Sequence, residues 1–265
     1  MSLRDIMVHL DSGPRTSERL TLAAALARRY DARLTGIFAQ VARYSPAGEG
    51  GEARPLGAAS RNQFEAAASG LRRSLWLDLD RGSDHEIVHG LTEAARHYDL
   101  AIFGQDDEDG PKIVPRELLE QVIVESGRPI LVVPYAGHFP DIGQRPLIAW
   151  TEARAAARAL NDSLPLLKPG AKVSVVTVGL ATQAQELSSE RISEHLHAHN
   201  IESHFEHMQV TEVGLIDTLL NLATDKDADL IVMGAFGGYG FPLFSRGSGT
   251  RYMLRHMTAP CLFSH

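Results

Sequence analysis

Residues 234–250 carry the residue types and the spacing that can hold a phosphate. Met233-Gly234-Ala235-Phe236-Gly237 is followed, after nine intervening residues, by Gly247-Ser248-Gly249-Thr250. Gly234 and Gly237 let the backbone approach a ribose or a phosphate without a Cβ in the way. Gly247 and Ser248 stand just before a helix expected over 251–256. The N–H groups and positive dipole end of such a helix favour an anion. Ser248 or Thr250 can add a hydroxyl donor or cap the helix, and Arg246 and Arg251 are near enough in sequence to assist. The alternative is a glycine-rich loop that only turns the chain. The flanks bear on that choice: an apolar strand at 230–233 leads in and a helix leads out. Ligands of open α/β sheets sit outside the carboxyl ends of such strands, near a switch point.

The elements that must position this loop occur twice. Ile6-Met7-Val8-His9-Leu10-Asp11, followed by a helical pattern over 17–30, parallels Leu147-Ile148-Ala149-Trp150-Thr151 followed by a helix over 153–164. Leu20 and Leu160 fall nine residues beyond Asp11 and Thr151. The apolar runs at 32–38 and 98–104 parallel those at 171–177 and 227–234. Both halves close on a Pro-led strand, at 128–133 and 259–263. Short apolar strands alternating with amphipathic helices predict, in each half, a parallel sheet covered on both faces with right-handed crossovers. The predicted domains are 1–137 and 146–265, joined by a Gly- and Pro-containing linker at 138–145. Residues 41–60, rich in Gly, Ala and Pro, read as a surface insertion in the first half.

Composition narrows the function. The 265 residues include 44% hydrophobic and 22% charged residues, as in ordinary soluble globular proteins. A formal net charge of -7 disfavours long nucleic-acid contacts, which need clustered Lys and Arg. A small phosphate ligand needs only a few backbone N–H groups. The single cysteine, Cys261, cannot form an internal disulfide. The N-terminal residues have no signal-like apolar run, and no stretch reaches the ~20 apolar residues of a membrane span. The expected location is the cytoplasm, without nucleic-acid or membrane partners.

The loop and its flanks resemble the universal stress protein family in its tandem form. The family pattern G-x2-G-x9-G-[ST] is met by Gly234, Gly237, Gly247 and Ser248. It lies between Leu230-Ile231-Val232-Met233 and Arg251-Tyr252-Met253-Leu254-Arg255-His256, with Ala259-Pro260 after them. The resemblance spans nearly the whole chain, more weakly in the first half. It implies an α/β fold with two doubly wound domains. Each would have a five-stranded parallel sheet of the adenine-nucleotide α-hydrolase-like type, and the two would pack with pseudo-two-fold symmetry through their closing strands as a built-in dimer. It also implies ATP or a related adenine nucleotide as ligand, with Mg2+ as a candidate companion. Carried over by position, Met233 and Gly234 would lie by the ribose and Gly237 by ribose and phosphate. Gly247, Ser248 and Gly249, with Thr250 beside them, would take the phosphates, and Val176, Thr177 or Val178 would border the adenine.

Several departures from the family pattern shape the functional expectation. The family usually carries an acid at the end of the first strand, near adenine or metal. The second half has Thr151 there, also placed in the expected site, followed by Glu152; the first half keeps the acid as Asp11. The first half has lost the phosphate loop: Gly104 is followed by Gln105-Asp106-Asp107-Glu108-Asp109, and these carboxylates would repel a phosphate. No nucleotide is expected there. Within the second-half loop, the apolar and aromatic residues 238–244 are expected to pack rather than to cover a ligand. Phosphoryl transfer needs a positioned metal and an oriented nucleophile, and Thr151 together with the lack of a base near Ser248 argues against it. The expectation is a stress-response or regulatory protein that binds an adenine nucleotide in its second domain without efficient catalysis. The alternatives are a slow ATP hydrolase and a protein-interaction scaffold that has lost ligand use. His195, His197, His199, His204 and His207 crowd one stretch, but with no cysteine near and Asn200 marking a helix end they read as a solvated helix terminus rather than a zinc site. Cys261 reads as a buried inert thiol.

Overall fold

A computed structural model describes residues 3–41, 57–107, 109–178, 183–208, 214–237 and 247–265. The chain divides into two compact units, one reaching to Asp141 and one running over Ile142–His265. The segment expected as a linker is shared between them. His138 meets Glu18 and Arg29 pairs with Asp141 in the first unit. In the second, the backbone N–H groups of Gly143, Gln144 and Arg145 all donate to the Asp229 carboxylate.

The first unit contains strands β1 (Asp5–Leu10), β2 (Arg33–Val41), β3 (Ser74–Gly82), β4 (Leu100–Gly104) and β5 (Ile130–Val133), and helices α1 (Thr16–Tyr30), α2 (Gly57–Ala67), α3 (Asp84–Ala95) and α4 (Leu118–Glu125). Its strand order is β3-β2-β1-β4-β5, all parallel. The inner strands are buried almost throughout because helices cover both faces of the sheet, which is why they read as continuous apolar runs rather than as alternation. Local signals start and stop the helices. Ser83 and Glu86 form a reciprocal capping box at α3, and Asp31 ends α1 in the left-handed region.

The second unit repeats the plan with β6 (Pro146–Trp150), β7 (Val173–Val178), β8 (Ser203–Met208), β9 (Leu230–Gly234) and β10 (Cys261–Ser264). Its helices are α5 (Arg154–Ser163), α6 (Gln183–Ala198), α7 (Leu215–Asp225) and α8 (Ser248–His256), and its strand order is β10-β9-β6-β7-β8, again parallel. The repeat extends to detail. Asp99 receives the N–H groups of Arg4 and Asp5 where β1 begins, as Asp229 does ahead of β6. Leu20 and Leu160 are both fully buried under their sheets. Burying these apolar faces is the main driving force for each unit, at roughly 25 cal/mol per Å² of apolar area.

This topology makes a switch point in the second unit. From the central strand β6 the chain steps outward to β7 and β8, then returns to the other side of β6 for β9 and β10. The crevice at the carboxyl ends of β6 and β9 is where a doubly wound sheet accepts a ligand.

Candidate functional site

Strand register brings the expected residues to one edge. Ala149 pairs with Met233 and Trp150 with Thr177. Thr151, the end of β7 and Gly234 therefore reach the same carboxyl edge of the sheet. Val176 and Thr177 are buried, and the Thr177 hydroxyl is bonded to His207 Nδ1 at 3.0 Å. Trp150 closes the end of β6, its indole N–H donating to Ser188 Oγ at 3.0 Å. Of Val178 only the backbone is described.

The loop leaves β9 under tight constraint. A Cβ on Gly234 would lie 2.5 Å from the backbone of Ala155 and Ala156, so this glycine is required by the start of α5 pressing on β9. Ala235 N–H is anchored on Ser264 O at 2.8 Å. Phe236 then takes φ 52, a left-handed conformation that side-chain-bearing residues rarely adopt, and its N–H donates to Thr250 Oγ1 at 2.9 Å. Gly237 follows, exposed, with no atom of the described residues within 4 Å of where its Cβ would be.

Residues 238–246 lie outside the described structure, and with them the expected packing of the aromatic loop interior and the position of Arg246. The chain re-enters at Gly247, which is buried at φ 80. A Cβ there would come within 2.6 Å of the Phe236 ring, so both the backbone angle and the packing demand glycine. Helix α8 starts at once, three residues ahead of the expected Arg251. Its N-cap makes no side-chain capping bond and its first turn holds no acidic residue. Ser248, Gly249 and Thr250 are thus first-turn residues, with backbone N–H groups that point out of the helix end. Arg251 adds a positive charge, its guanidinium 5.8 Å from the Phe236 ring centroid.

Phe236 was not singled out in the sequence, yet it links both ends of the loop: its backbone through Thr250, its ring through Gly247 and Arg251. No residue-type signal marks it, since phenylalanine is an unusual occupant of the left-handed region. Thr250 is buried at 4% exposure with its hydroxyl turned inward, so its side chain fastens the loop, while its backbone remains part of the helix start.

Residues 147–265 match the model of the universal stress protein family. The second unit belongs to the universal stress protein family. The likeness in fold takes in the whole chain. It is similar to the crystal structure of a universal stress protein from Archaeoglobus fulgidus, with a TM-score of 0.71 at 16% identity over 99% of this chain and 96% of that one. It is also similar to a putative universal stress protein from Pseudomonas aeruginosa, with a TM-score of 0.62 at 14% identity over 99% and 93% of the two chains. No curated protein sequence matches the chain.

Beside this universal stress protein domain, the corresponding edge of the first unit is filled. Asp11, at the place of Thr151, is paired with Arg19 at 2.6 Å, and both are buried. It also accepts from Gly13 N–H at 2.6 Å and from the Thr16 hydroxyl at 2.9 Å. Burial opposes ionisation of Asp11, but Arg19, His9 and these donors outweigh it and hold its pKa below the ordinary value. The Arg19 Nε donates to His9 O, and its guanidinium stands where a Cβ on Gly104 would be. Ile113 closes the cleft from above. Its carbonyl accepts Val41 N–H at 2.9 Å and its side chain packs on Gly13. The remaining cavity is about 80 Å³, well under the ~300 Å³ at which small-molecule sites begin. Thus the first cleft is closed chiefly by Arg19 and Ile113. Asp106 and Asp107 of the acidic run after Gly104 line this cavity, with Lys112 donating to Asp107 O at 2.7 Å and lying 3.7 Å from Asp106. In the second unit Asp11, Thr16 and Arg19 become Thr151, Ala156 and Ala159, so that the acid and its cation are absent together.

The five histidines divide between two elements. The His195 and His199 rings meet edge to face at 4.9 Å at the end of α6, and Asn200 follows at φ 59. His204 and His207 lie on β8. Among the described residues no group of three His, Cys, Asp or Glu is arranged to hold a metal, and no helix is long and apolar enough to cross a membrane. Cys261 is fully buried, and burial pushes its thiol pKa up.

Proposed function

We propose that the second unit binds an adenine nucleotide, ATP or a close relative, and serves stress response or regulation without efficient catalysis. The observation that carries this reading is Gly247 at φ 80 opening the uncapped helix α8 on the same sheet edge as the open Gly237. A phosphate at this point gains the first-turn N–H groups and the helix dipole, worth about 0.3–2 kcal/mol depending on burial. Thr151, Val176, Thr177 and Met233, aligned along the same edge, are the candidates to line the base and ribose. The resemblance to universal stress proteins, members of which are expected to bind ATP, supports the same reading.

The residues present fit a phosphate better than a phosphate with tightly held Mg2+. Thr151 offers a hydroxyl where a carboxylate would serve a divalent cation, and the neighbouring Glu152 is exposed. When bound, the metal would supply positive charge against the phosphates. The chain's own part is to hold the phosphates at Gly247, Ser248 and Gly249 and to keep the loop in register through Phe236 and Thr250. The first unit, with its small cavity, takes the role of a structural partner domain in this reading.

Titration calorimetry and thermal shift with ATP, ADP and AMP test the proposal. Saturable binding below ~1 mM is expected. It should be abolished by Gly237→Glu, which adds a carboxylate where no described residue lies within 4 Å of the new Cβ. Absence of binding at millimolar nucleotide, or full binding by this variant, would overturn it.

A further inference from the structure

The chain has only four lysines, Lys112, Lys168, Lys172 and Lys226, among 26 lysines and arginines. Three of the four line a single cavity of about 710 Å³ in the second unit. The cavity lies at the amino ends of β7 and β8, bounded by Val173 and Ser203, the first residue of each strand. It is therefore on the sheet edge opposite the glycine loop. Two left-handed turns, at Gly170 and Asn200, shape its rim.

Its polar chemistry is directed toward an anion. Lys172 is exposed and has no carboxylate within ion-pair reach among the described residues. Lys226 pairs with Glu206, which also lies 3.5 Å from His204. His204 lines the cavity as well, and among the described residues Glu202 is the one carboxylate in its wall. Ser203 also lines the wall. The wall thus carries three ammonium groups in a protein of net charge -7.

We infer that this cavity is a second ligand site of the chain, for a phosphorylated small molecule. Lysine ammonium groups act as rotatable point charges that donate to phosphate oxygens without a fixed fork geometry. Among the described residues no arginine lines this cavity, although arginines greatly outnumber lysines in the chain. The volume is that of a metabolite-sized pocket rather than of a bare ion. The site needs neither adenine nor the glycine loop, so it stands or falls separately from the nucleotide proposal.

The test uses the full chain with pyrophosphate, fructose 1,6-bisphosphate and citrate as probes, read by calorimetry and by the imidazole resonances of His204. Both phosphorylated probes should bind saturably and shift His204, with citrate at least tenfold weaker. Lys172→Gln should weaken pyrophosphate at least fivefold, and Lys168→Gln/Lys172→Gln should abolish it, while thermal unfolding of the exposed Lys172→Gln variant stays unchanged. Gly237→Glu should leave pyrophosphate binding as it is. Affinity that ignores the lysine substitutions, disappears in Gly237→Glu, or is matched by citrate would overturn the inference.

Discussion

Lowering the pH should weaken the first unit through one residue, His9. This histidine is 2% exposed in β1, stacks on Phe103 at 5.5 Å, and its Nε2 lies 2.9 Å from Ala39 O. Burial lowers its pKa from 6.5 to about 4; Asp11 and the Ala39 bond oppose that shift, and Arg19 adds to it. An unfolded chain takes up a proton on His9 as pH falls through 6.5, whereas the folded chain does not until about 4. The stabilisation is therefore complete above the unfolded value and is lost as pH falls toward the folded one. Linkage converts this to a loss of about 2 kcal/mol between pH 7 and pH 5, and about 3 kcal/mol by pH 4. Asp11, whose pKa is depressed, adds its own loss only below the ordinary carboxylate range. The assay is urea unfolding followed by Trp76, which packs against Phe38 and Phe64 in the first unit. A Trp150→Phe background removes the other tryptophan. His9→Gln keeps an N–H for Ala39 O but does not titrate, so its stability should be flat over pH 5–7. A wild-type stability that does not change over that range, or an equal loss in His9→Gln, would refute the reasoning.

Three further outcomes follow from the same packing and pairing. Arg19→Met should destabilise the first unit by about 3–5 kcal/mol, because it leaves Asp11 charged, buried and unpaired; adding Asp11→Val should recover most of that in the same urea assay. Gly234→Ala should cost the second unit about 1–3 kcal/mol, since the new methyl meets the α5 backbone, whereas Gly237→Ala should change thermal stability by less than about 0.5 kcal/mol. Thr250→Val should lower second-unit stability by about 1–2 kcal/mol through loss of the bond from Phe236 N–H, and should weaken nucleotide binding at the same time, measured by denaturation and calorimetry.

Much of the fold was legible because each half must bury a parallel sheet on both faces, which writes strands such as Leu230–Gly234 as unbroken apolar runs between amphipathic helices. The loop was legible because its glycines stand at fixed distances from such a strand. What the loop glycines do was less accessible. Gly234 and Gly237 look alike in sequence, but one touches the α5 backbone and the other faces open space, and only the packing of α5 tells them apart. The start of α8 was placed too late because Ser-Gly-Thr is a weak helix former; the left-handed turn at Gly247 sets the true start. The inward turn of Thr250 is a matter of rotamer, invisible to residue type. In the first unit, repulsion among carboxylates was the legible reason to expect no nucleotide. Arg19 reaching back to Asp11 from the first turn of α1 was not legible, because it depends on how the strand-to-helix connection folds over itself.

The central claim is that phosphates sit on the first turn of α8. Backbone amide chemical shifts recorded during titration with ATP address it directly. The account predicts saturable shifts concentrated at Gly237, Gly247, Ser248 and Gly249, with Gly13 and Gly104 in the closed cleft of the first unit unmoved. Shifts centred on the first unit, or unmoved amides at Gly247 to Gly249 at millimolar ATP, would contradict it.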